Sequence, residues 1–428
     1  MSEHVIISSF LLGEDMKYLL FCLIMGCWFL VPFAAASDKA PPDLKAIFAK
    51  HRHEIHMEGV QLKGPGGTWL VDQAGAARFV VIGETHNRRE LPAWTTALFT
   101  QIHKQGFEYL AIENGPYTTR ELNRLAKAPD GLAASRTFLQ QFLGTYPFYD
   151  HVEEFQFLQA VARLSKAETP LWGIDQEYYF STRYLFHRLA ELAKKPEVKT
   201  AFQTWFQKEQ QAAQHFLQTG EDDQFFFSRA AAADFEALAK LAAKEKNPEI
   251  DEILFQLKKS WEIYWLNQTR DYYNNNRIRA DFLKTNFARH VAEAAKRDGK
   301  PPKAMIKTGE VHGLRGTNTL SFFDVGNMAQ ELAAFYGDTS FHVRIRSRKM
   351  ILEGEDDWDW VADIPEHAPF DAPQDKAWIF DLASIRADLW RLGRPPINPK
   401  LQKMVSGYDA LLLVPVFHQA KEIVPLPR

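Results

Sequence analysis

Cysteine is almost absent from this sequence. The 428 residues include only Cys22 and Cys27, and both lie in an apolar N-terminal segment. Removal of that segment leaves a chain without thiols, which excludes disulfides, thiolate metal ligands and a cysteine nucleophile. The sequence also lacks a Gly-x-Ser-x-Gly motif, a glycine-rich phosphate loop and a His-Glu-x-x-His motif. These absences argue against the usual serine hydrolases, nucleotide-binding proteins and zinc proteases.

Neither sign of charge dominates the sequence. Lysine and arginine together number 51, aspartate and glutamate number 54, and the formal net charge at pH 7 is −3. No basic run stands out, so nucleic acid is not expected as a partner. A composition of 46% hydrophobic and 25% charged residues is ordinary for a globular protein.

The N-terminal segment has the pattern of a secretory leader. From Met16 the sequence gives a lysine, an apolar core and small residues that end at Ala36. We therefore predict that residues 1–36 are a signal peptide, with translation starting at Met16, and that the mature chain is exported to the periplasm or secreted. The alternatives are an uncleaved membrane anchor and lipidation of Cys27, and we expect membrane association only in those two cases.

A Gly-Glu-x-His signature occurs twice, each time at the end of an apolar run. Residues 79–82 form the first run, and Glu84 and His86 follow it, ahead of apolar residues at helical spacing. The second copy, far downstream, contains Glu310 and His312. Both runs are predicted to be buried strands, so each motif is expected at the end of a strand.

Two other predicted strands also end in acidic residues. Residues 107–112 lead to Glu113, and residues 170–174 lead to Asp175. Strands that alternate with helices through short connections predict parallel pairing. The carboxyl ends of parallel strands share one edge of the sheet, where ligands bind in α/β proteins. We therefore predict an α/β fold, with a mainly parallel sheet flanked by helices and a polar pocket at that edge.

The stretch from about 180 to 298 is helical in pattern and too long for a single crossover. We predict that it is a large helical insertion in one α/β domain spanning residues 37–428. A polar cluster near its end contains Arg277 and Arg279, and either side chain has the charge needed to stabilise a developing oxyanion.

The local patterns of several shorter segments predict their secondary structure. Strands are predicted at 341–346, 378–380 and 408–415, with an edge strand at 68–71 after a glycine-rich turn at 64–67. The histidine-containing residues 51–56 are interpreted as a solvated helix face, and residues 356–373 as a surface loop.

A carboxylate and an imidazole at a strand end permit two ways of activating water. In the first, His86 is a general base that Glu84 orients. In the second, His86, His312 and Glu113 hold a divalent metal ion with one position open for water. The candidate catalytic residues are His86, Glu84, Glu113, His312, Glu310, Asp175 and Arg279.

The order of these motifs resembles a superfamily that unites erythromycin esterase-like proteins, ChaN-type haem-binding lipoproteins and TIKI/TraB proteases. The matching segments are residues 83–86, Glu113 and residues 309–312. The esterase-like branch adds three features, which are matched by the Gly-x-Asp of residues 173–175, by Arg279 with Asn286, and by the Tyr-Asp-Ala of residues 408–410. Members of the esterase-like branch usually have one more residue between the glutamate and the histidine.

Each branch of the superfamily implies a different use of the pocket. The esterase-like branch implies metal-independent activation of water by His86, and the protease branch implies a metal held by the two motif histidines. From this resemblance we expect a hydrolase of ester or peptide substrates. Its partner would be a small-molecule substrate or a peptide. The alternative is a protein that binds haem or iron without turnover, which tyrosines such as Tyr178, Tyr179 or Tyr272 would favour.

Overall fold

The structure is a computed structural model that describes residues 42–352 and 358–425. The predicted signal peptide and both cysteines lie outside these residues. Among the helices of the described part, none is both long enough and apolar enough to cross a membrane.

A ten-stranded, largely parallel sheet forms the centre of the fold. Its strands are β1 (Arg52–Glu58), β2 (Gln61–Lys63), β3 (Phe79–Glu84), β4 (Phe107–Ile112), β5 (Leu171–Gly173), β6 (Lys303–Gly309), β7 (Ser340–Ile351), β8 (Trp358–Asp359), β9 (Ala377–Asp381) and β10 (Ala410–His418). The spatial order is β2-β1-β9-β10-β7-β3-β6-β4-β5, and β8 pairs with β7 outside this row. The six strands from β10 to β5 are parallel to one another, whereas β9, β1 and β2 continue the sheet in antiparallel pairing. The predicted α/β class is therefore confirmed.

Helices cover both faces of this sheet. They are α1 (Leu44–Lys50), α2 (Gly64–Ala76), α3 (Leu91–His103), α4 (Thr118–Lys127), α5 (Gly131–Gln141), α6 (Val152–Leu164), α7 (Ser181–Leu192), α8 (Pro196–Thr219), α9 (Phe226–Arg229), α10 (Ala232–Ala242), α11 (Pro248–Gln268), α12 (Tyr272–Asp298), α13 (Val325–Phe335), α14 (Leu382–Arg391) and α15 (Pro399–Gly407), with a 3₁₀ helix at Pro365–Phe370.

The central strand β3 is buried along its whole length, as the apolar run predicted. Its alternate side chains enter two different cores: Ile82 packs on the face that α3 and α6 cover, and Val81 on the face that α12 and α13 cover. β3 pairs in parallel with β6, and Glu84 lies opposite Gly309 in the register. The two Gly-Glu-x-His segments therefore end on neighbouring strands at the same edge.

Helices α7 to α12 form a continuous helical stretch between β5 and β6. Much of this stretch has its own apolar core, which includes Phe186, Phe202, Phe226 and Ile253. The C-terminal half of α12 instead packs on the sheet through a row of apolar side chains that includes Phe287. This packing brings the N-terminal half of α12 over the carboxyl edge of the sheet.

Three of the local predictions, which fall in two segments, were wrong, and close packing explains both segments. Residues 52–58 form strand β1, not a helix face, because Ile55 is buried while β1 pairs with β9. Residues 64–76 form helix α2, not a turn and an edge strand. A Cβ atom at Gly66 would lie 2.7 Å from the Cγ2 atom of Ile379. The glycines therefore allow a helix to lie directly on the strands.

The predicted surface loop at 356–373 also differs from the structure, within its described part from residue 358. Trp360 and Phe370 are buried in a small core over β9 and β10.

We expect Gly66→Ala to lower the free energy of unfolding by about 1–3 kcal/mol, because the added methyl group overlaps backbone as well as Ile379. This outcome is opposite to the gain in helix propensity that alanine brings at an unhindered site. Urea denaturation of the purified protein measures the change. The exposed Thr68→Ala in the same helix is the control and should change stability by less than about 0.5 kcal/mol. Equal stability of the Gly66 variant and the parent would contradict this account of α2.

Candidate active site

The parallel arrangement of the strands brings the predicted polar residues to one edge. Glu84 is the last residue of β3, and Glu113 and Asp175 follow β4 and β5. These strands are parallel to β6, which ends at Gly309. A cluster of buried charges lies where the four strands end. Six of the seven candidate residues belong to it, and Glu310 lies outside it.

Glu113 is at the centre of this cluster. One carboxylate oxygen accepts a hydrogen bond from Arg279 Nη2 at 2.7 Å, and the other accepts one from the Gly309 backbone N–H at 2.7 Å. The Nε2 atoms of His86 and His312 lie 3.4 Å and 3.6 Å from the same carboxylate. Burial by itself would raise the pKa of Glu113, but the two imidazoles and Arg279 hold it well below its usual range. Glu113 is therefore a carboxylate.

Arg279 joins Glu113 to the end of the next strand. Its guanidinium donates to Asp175 at 3.1 Å and 2.5 Å, and to the side-chain oxygen of Gln176 at 3.1 Å. Burial works against the charged form, but Asp175 and Glu113 raise the pKa of Arg279 above its ordinary value. Arg277 points elsewhere, is half exposed and pairs with Asp281 at 3.6 Å. Of the two arginines, the structure brings only Arg279 into the cluster.

His86 is fixed on three sides. Its Nδ1 atom lies 3.0 Å from Glu84, its Nε2 atom faces Glu113, and its ring stacks on Phe148 with centroids 3.8 Å apart. Burial tends to lower the pKa of His86, but Glu113 and Glu84 outweigh it and raise the pKa to about 10. His86 is therefore an imidazolium at neutral pH when no other molecule occupies the cluster.

His312 approaches Glu113 from another side, and Asp324 sets its orientation. The Nδ1 atom of His312 lies 2.8 Å from Asp324, which also caps the start of α13 and accepts a hydrogen bond from Asn318. The Nε2 atom is thereby turned towards Glu113. Burial opposes protonation, but Glu113 and Asp324 raise the pKa of His312 above its ordinary value. Asp324 had no motif to mark it in the sequence.

A buried lysine beneath the cluster was not selected from the sequence. Lys307 lies in β6 without any exposed side-chain surface and donates to Glu84 at 2.6 Å and to Glu154 at 3.1 Å. Burial raises the pKa of Glu154 to about 7, with Glu84 adding to this and Lys307 opposing it. A lysine directly after the apolar run of residues 304–306 was the signal in the sequence, because a buried lysine needs a carboxylate partner.

Glu310 lies apart from the other candidates. Its carboxylate accepts hydrogen bonds from Arg344 at 2.8 Å and Arg346 at 2.5 Å, and these arginines lower its pKa. The two copies of the motif thus place their histidines in one cluster and their glutamates in two separate sites.

The residues at the cluster do not fit the divalent metal site of His86, His312 and Glu113. Both oxygens of Glu113 already accept hydrogen bonds, and the positive charge of Arg279 lies 2.7 Å from one of them. A divalent ion at this carboxylate would add its charge to that of Arg279, which already lies against it. Among the described residues, the one group whose ligand atoms lie close enough for a metal is His215, Glu221 and Asp223, at the exposed end of α8.

The three tyrosines named for haem binding lie in different environments. Tyr178 stacks on Phe180, Tyr179 packs against Tyr264 in the helical stretch, and Tyr272 is largely exposed at the start of α12. These positions give no particular support to the haem alternative.

Comparison with known proteins places the fold. No protein-family model and no curated protein sequence matches the chain. Solved structures with a similar fold include a Bacillus cereus protein (TM-score 0.55, 13% identity, 90% of this chain and 100% of that one). They also include a mutant of the erythromycin esterase EreC in its open conformation (TM-score 0.54, 15% identity, 84% and 94%) and a succinoglycan biosynthesis protein (TM-score 0.52, 12% identity, 88% and 97%). The chain therefore has an erythromycin esterase-like fold.

We expect Lys307→Met to lower the free energy of unfolding by about 3–5 kcal/mol, because it leaves Glu84 and Glu154 buried without their shared cation. Chemical denaturation measures the change. Lys349→Met, at an exposed position on β7, is the matched control and should cost less than about 0.5 kcal/mol. A loss below about 1 kcal/mol for the Lys307 variant would show that the buried pairs are not needed for stability.

Proposed function

We propose that this protein is a hydrolase in which His86 activates water against an ester or a peptide. The observation that supports this most directly is the convergence of two imidazoles, His86 and His312, on the carboxylate of Glu113. The likeness to an erythromycin esterase concerns the fold, and it agrees with this chemistry without selecting a substrate.

His86 is suited to act as the base because its orientation does not depend on substrate. Glu84 holds Nδ1 and Phe148 holds the ring plane, so Nε2 is the nitrogen left to take a proton from water. The contact between Nε2 of His86 and Glu113, at 3.4 Å, is longer than the contact between Nδ1 and Glu84, at 3.0 Å. A water molecule or substrate that separates Nε2 from Glu113 weakens one of the two carboxylate contacts that keep His86 protonated.

His312 and Arg279 supply positive charge at the same place. Glu113 and Asp324 keep His312 protonated, so its Nε2–H is a donor for the oxygen that becomes negative as water attacks a carbonyl carbon. Arg279 keeps Glu113 in position through its simultaneous bonds to Asp175. In this mechanism Glu113, Asp175 and Asp324 position the reacting groups, and His86 and His312 act on the substrate.

We also propose that the mature protein is exported, on the evidence of the leader sequence at residues 16–36. The assays below therefore use the chain from residue 37.

We expect His86→Ala and His312→Ala each to lower kcat/KM by about 10²–10⁴-fold, because each removes a group that acts in the transition state. The measurement is hydrolysis of a panel of p-nitrophenyl esters and fluorogenic peptides. The control is His56→Ala, which removes a half-exposed histidine that pairs with Glu58 at 3.5 Å, and it should retain parental activity. Full activity of the His86→Ala, His312→Ala double variant, or a parent inactive on the whole panel, would overturn the proposal.

We expect kcat/KM to rise with pH over the range in which His312 keeps its proton, because only neutral His86 accepts a proton from water. With a pKa of about 10, about one molecule in a thousand has neutral His86 at pH 7. Glu113→Gln removes the carboxylate that stabilises the imidazolium, so the rising limb should move to lower pH. The pH dependence of the His86 ring signals in NMR provides a check that does not rely on turnover.

The hydrolysis rate with His86→Ala gives the background to subtract at each pH. If Glu113→Gln does not shift the rising part of the pH profile of kcat/KM, the proposed coupling between His86 and Glu113 is contradicted. A rate that falls as the NMR signals show His86 losing its proton, while His312 is still protonated, would show that protonated His86 is the active form, and therefore that it is not the base.

A further inference from the structure

A cavity of about 540 Å³ lies beside Glu310, outside the cluster around Glu113. Its wall is formed by the loop after β6, by one face of β7, by the segment from Trp358 to His367 and by the start of α15. Most of the wall is apolar, with Val311, Leu314, Trp358, Ile364, Met404 and Tyr408 among the lining residues. The mechanism proposed above uses none of these residues.

Three arginines project from one face of β7 towards this part of the fold. Arg344, Arg346 and Arg348 occupy alternate positions of the strand and are largely buried. Arg348, which does not line the cavity, has two carboxylate partners, Asp359 at 3.0 Å and Asp371 at 3.1 Å. The charge of this arginine is therefore fully compensated.

Arg344 and Arg346 line the cavity and share a single carboxylate, that of Glu310. The Nε atom of Arg346 is buried without a hydrogen-bond partner among the described residues. Nη1 of Arg344 lies 2.7 Å from the thioether sulfur of Met404, which is a weak acceptor. Two guanidinium groups at this wall thus have donors left without an oxygen acceptor.

The other charged side chains at the cavity do not correct the imbalance. Lys400 pairs with Glu366 at 3.3 Å, and Lys403 donates to the backbone carbonyl of Asn318 at 2.8 Å. The cavity wall therefore carries four cationic side chains against two carboxylates. Burial without enough counter-charge is unfavourable and acts to lower the pKa of Arg346.

We propose that this cavity binds a molecule with an anionic headgroup, a carboxylate or a phosphate, and an apolar body. Guanidinium groups pair well with both headgroups because their N–H donors match the spacing of two oxygens. The anion would pair with the guanidinium groups of Arg346 and Arg344 through donors that Glu310 does not occupy. The apolar part would lie against the walls formed by Leu314, Met404 and Tyr408. This inference does not depend on the proposed hydrolysis.

Calorimetric titration of the chain from residue 37 with octanoate, octyl phosphate and octan-1-ol tests the proposal. At least one of the two anions should bind with a stoichiometry of one, and octan-1-ol should bind at least about tenfold more weakly because it has no charge to pair. The stronger of the two anions identifies the headgroup. Equal binding of octan-1-ol, or no binding of either anion, would overturn the proposal.

Two variants with opposite expected effects locate the site. Arg346→Met keeps the length of the side chain, leaves Arg344 paired with Glu310, and should weaken anion binding at least about tenfold. Glu310→Gln removes the competing carboxylate and should tighten binding of the same anion. Lys349→Met removes one exposed positive charge from the same strand and is the control, with unchanged affinity. Unchanged affinity in both cavity variants would place the anion elsewhere and refute the assignment.

Discussion

One buried carboxylate, Glu113, holds together segments that are far apart in the chain. It is bonded to Arg279 of α12 and to the backbone of Gly309, and it lies within 3.6 Å of both motif histidines. Without that negative charge, the two imidazolium groups and the guanidinium would repel one another, and each would keep only its outer carboxylate, which is Glu84, Asp324 or Asp175. The orientation of α12 over the sheet and the position of His312 beside His86 therefore depend on the same ionic contacts that give the site its chemistry.

Gly83 and Gly309 leave space at the carboxyl edge of the sheet that a side chain would fill. A Cβ atom on Gly309 would lie 2.9 Å from Nε2 of His86 and 3.4 Å from Oε2 of Glu113. A Cβ atom on Gly83 would lie 2.2 Å from the hydroxyl oxygen of Tyr408. The glycine of each Gly-Glu-x-His motif thus leaves room for a functional or structural group from another segment. A side chain at Gly309 would displace the base and its carboxylate together.

The repeated motif has different surroundings at its two positions. Glu84 is held by Lys307 beneath the cluster and contacts His86, whereas Glu310 neutralises arginines of β7 at the edge of a separate cavity. The difference follows from the neighbours of each strand, since β6 supplies a lysine to β3, and β7 supplies two arginines to the loop after β6. Sequence similarity between the two copies therefore correctly predicted that both end a strand. It did not reveal that the two glutamates have different roles.

The sequence by itself determined the central parallel strands β3, β4, β5 and β6 and the edge at which the polar residues lie. Apolar runs such as residues 79–82 and 107–112 have a single stable location, inside a sheet covered on both faces, so their ends and the residues that follow were predictable. Only the tertiary structure decided which of those residues meet. Arg279 rather than Arg277 reaches Glu113 because of the rotation of one helix, and Lys307, Asp324 and Phe148 join the site through packing between distant segments. Periodicity reports which face of an element is buried, but the partner of a buried charge is set by the segment packed against it.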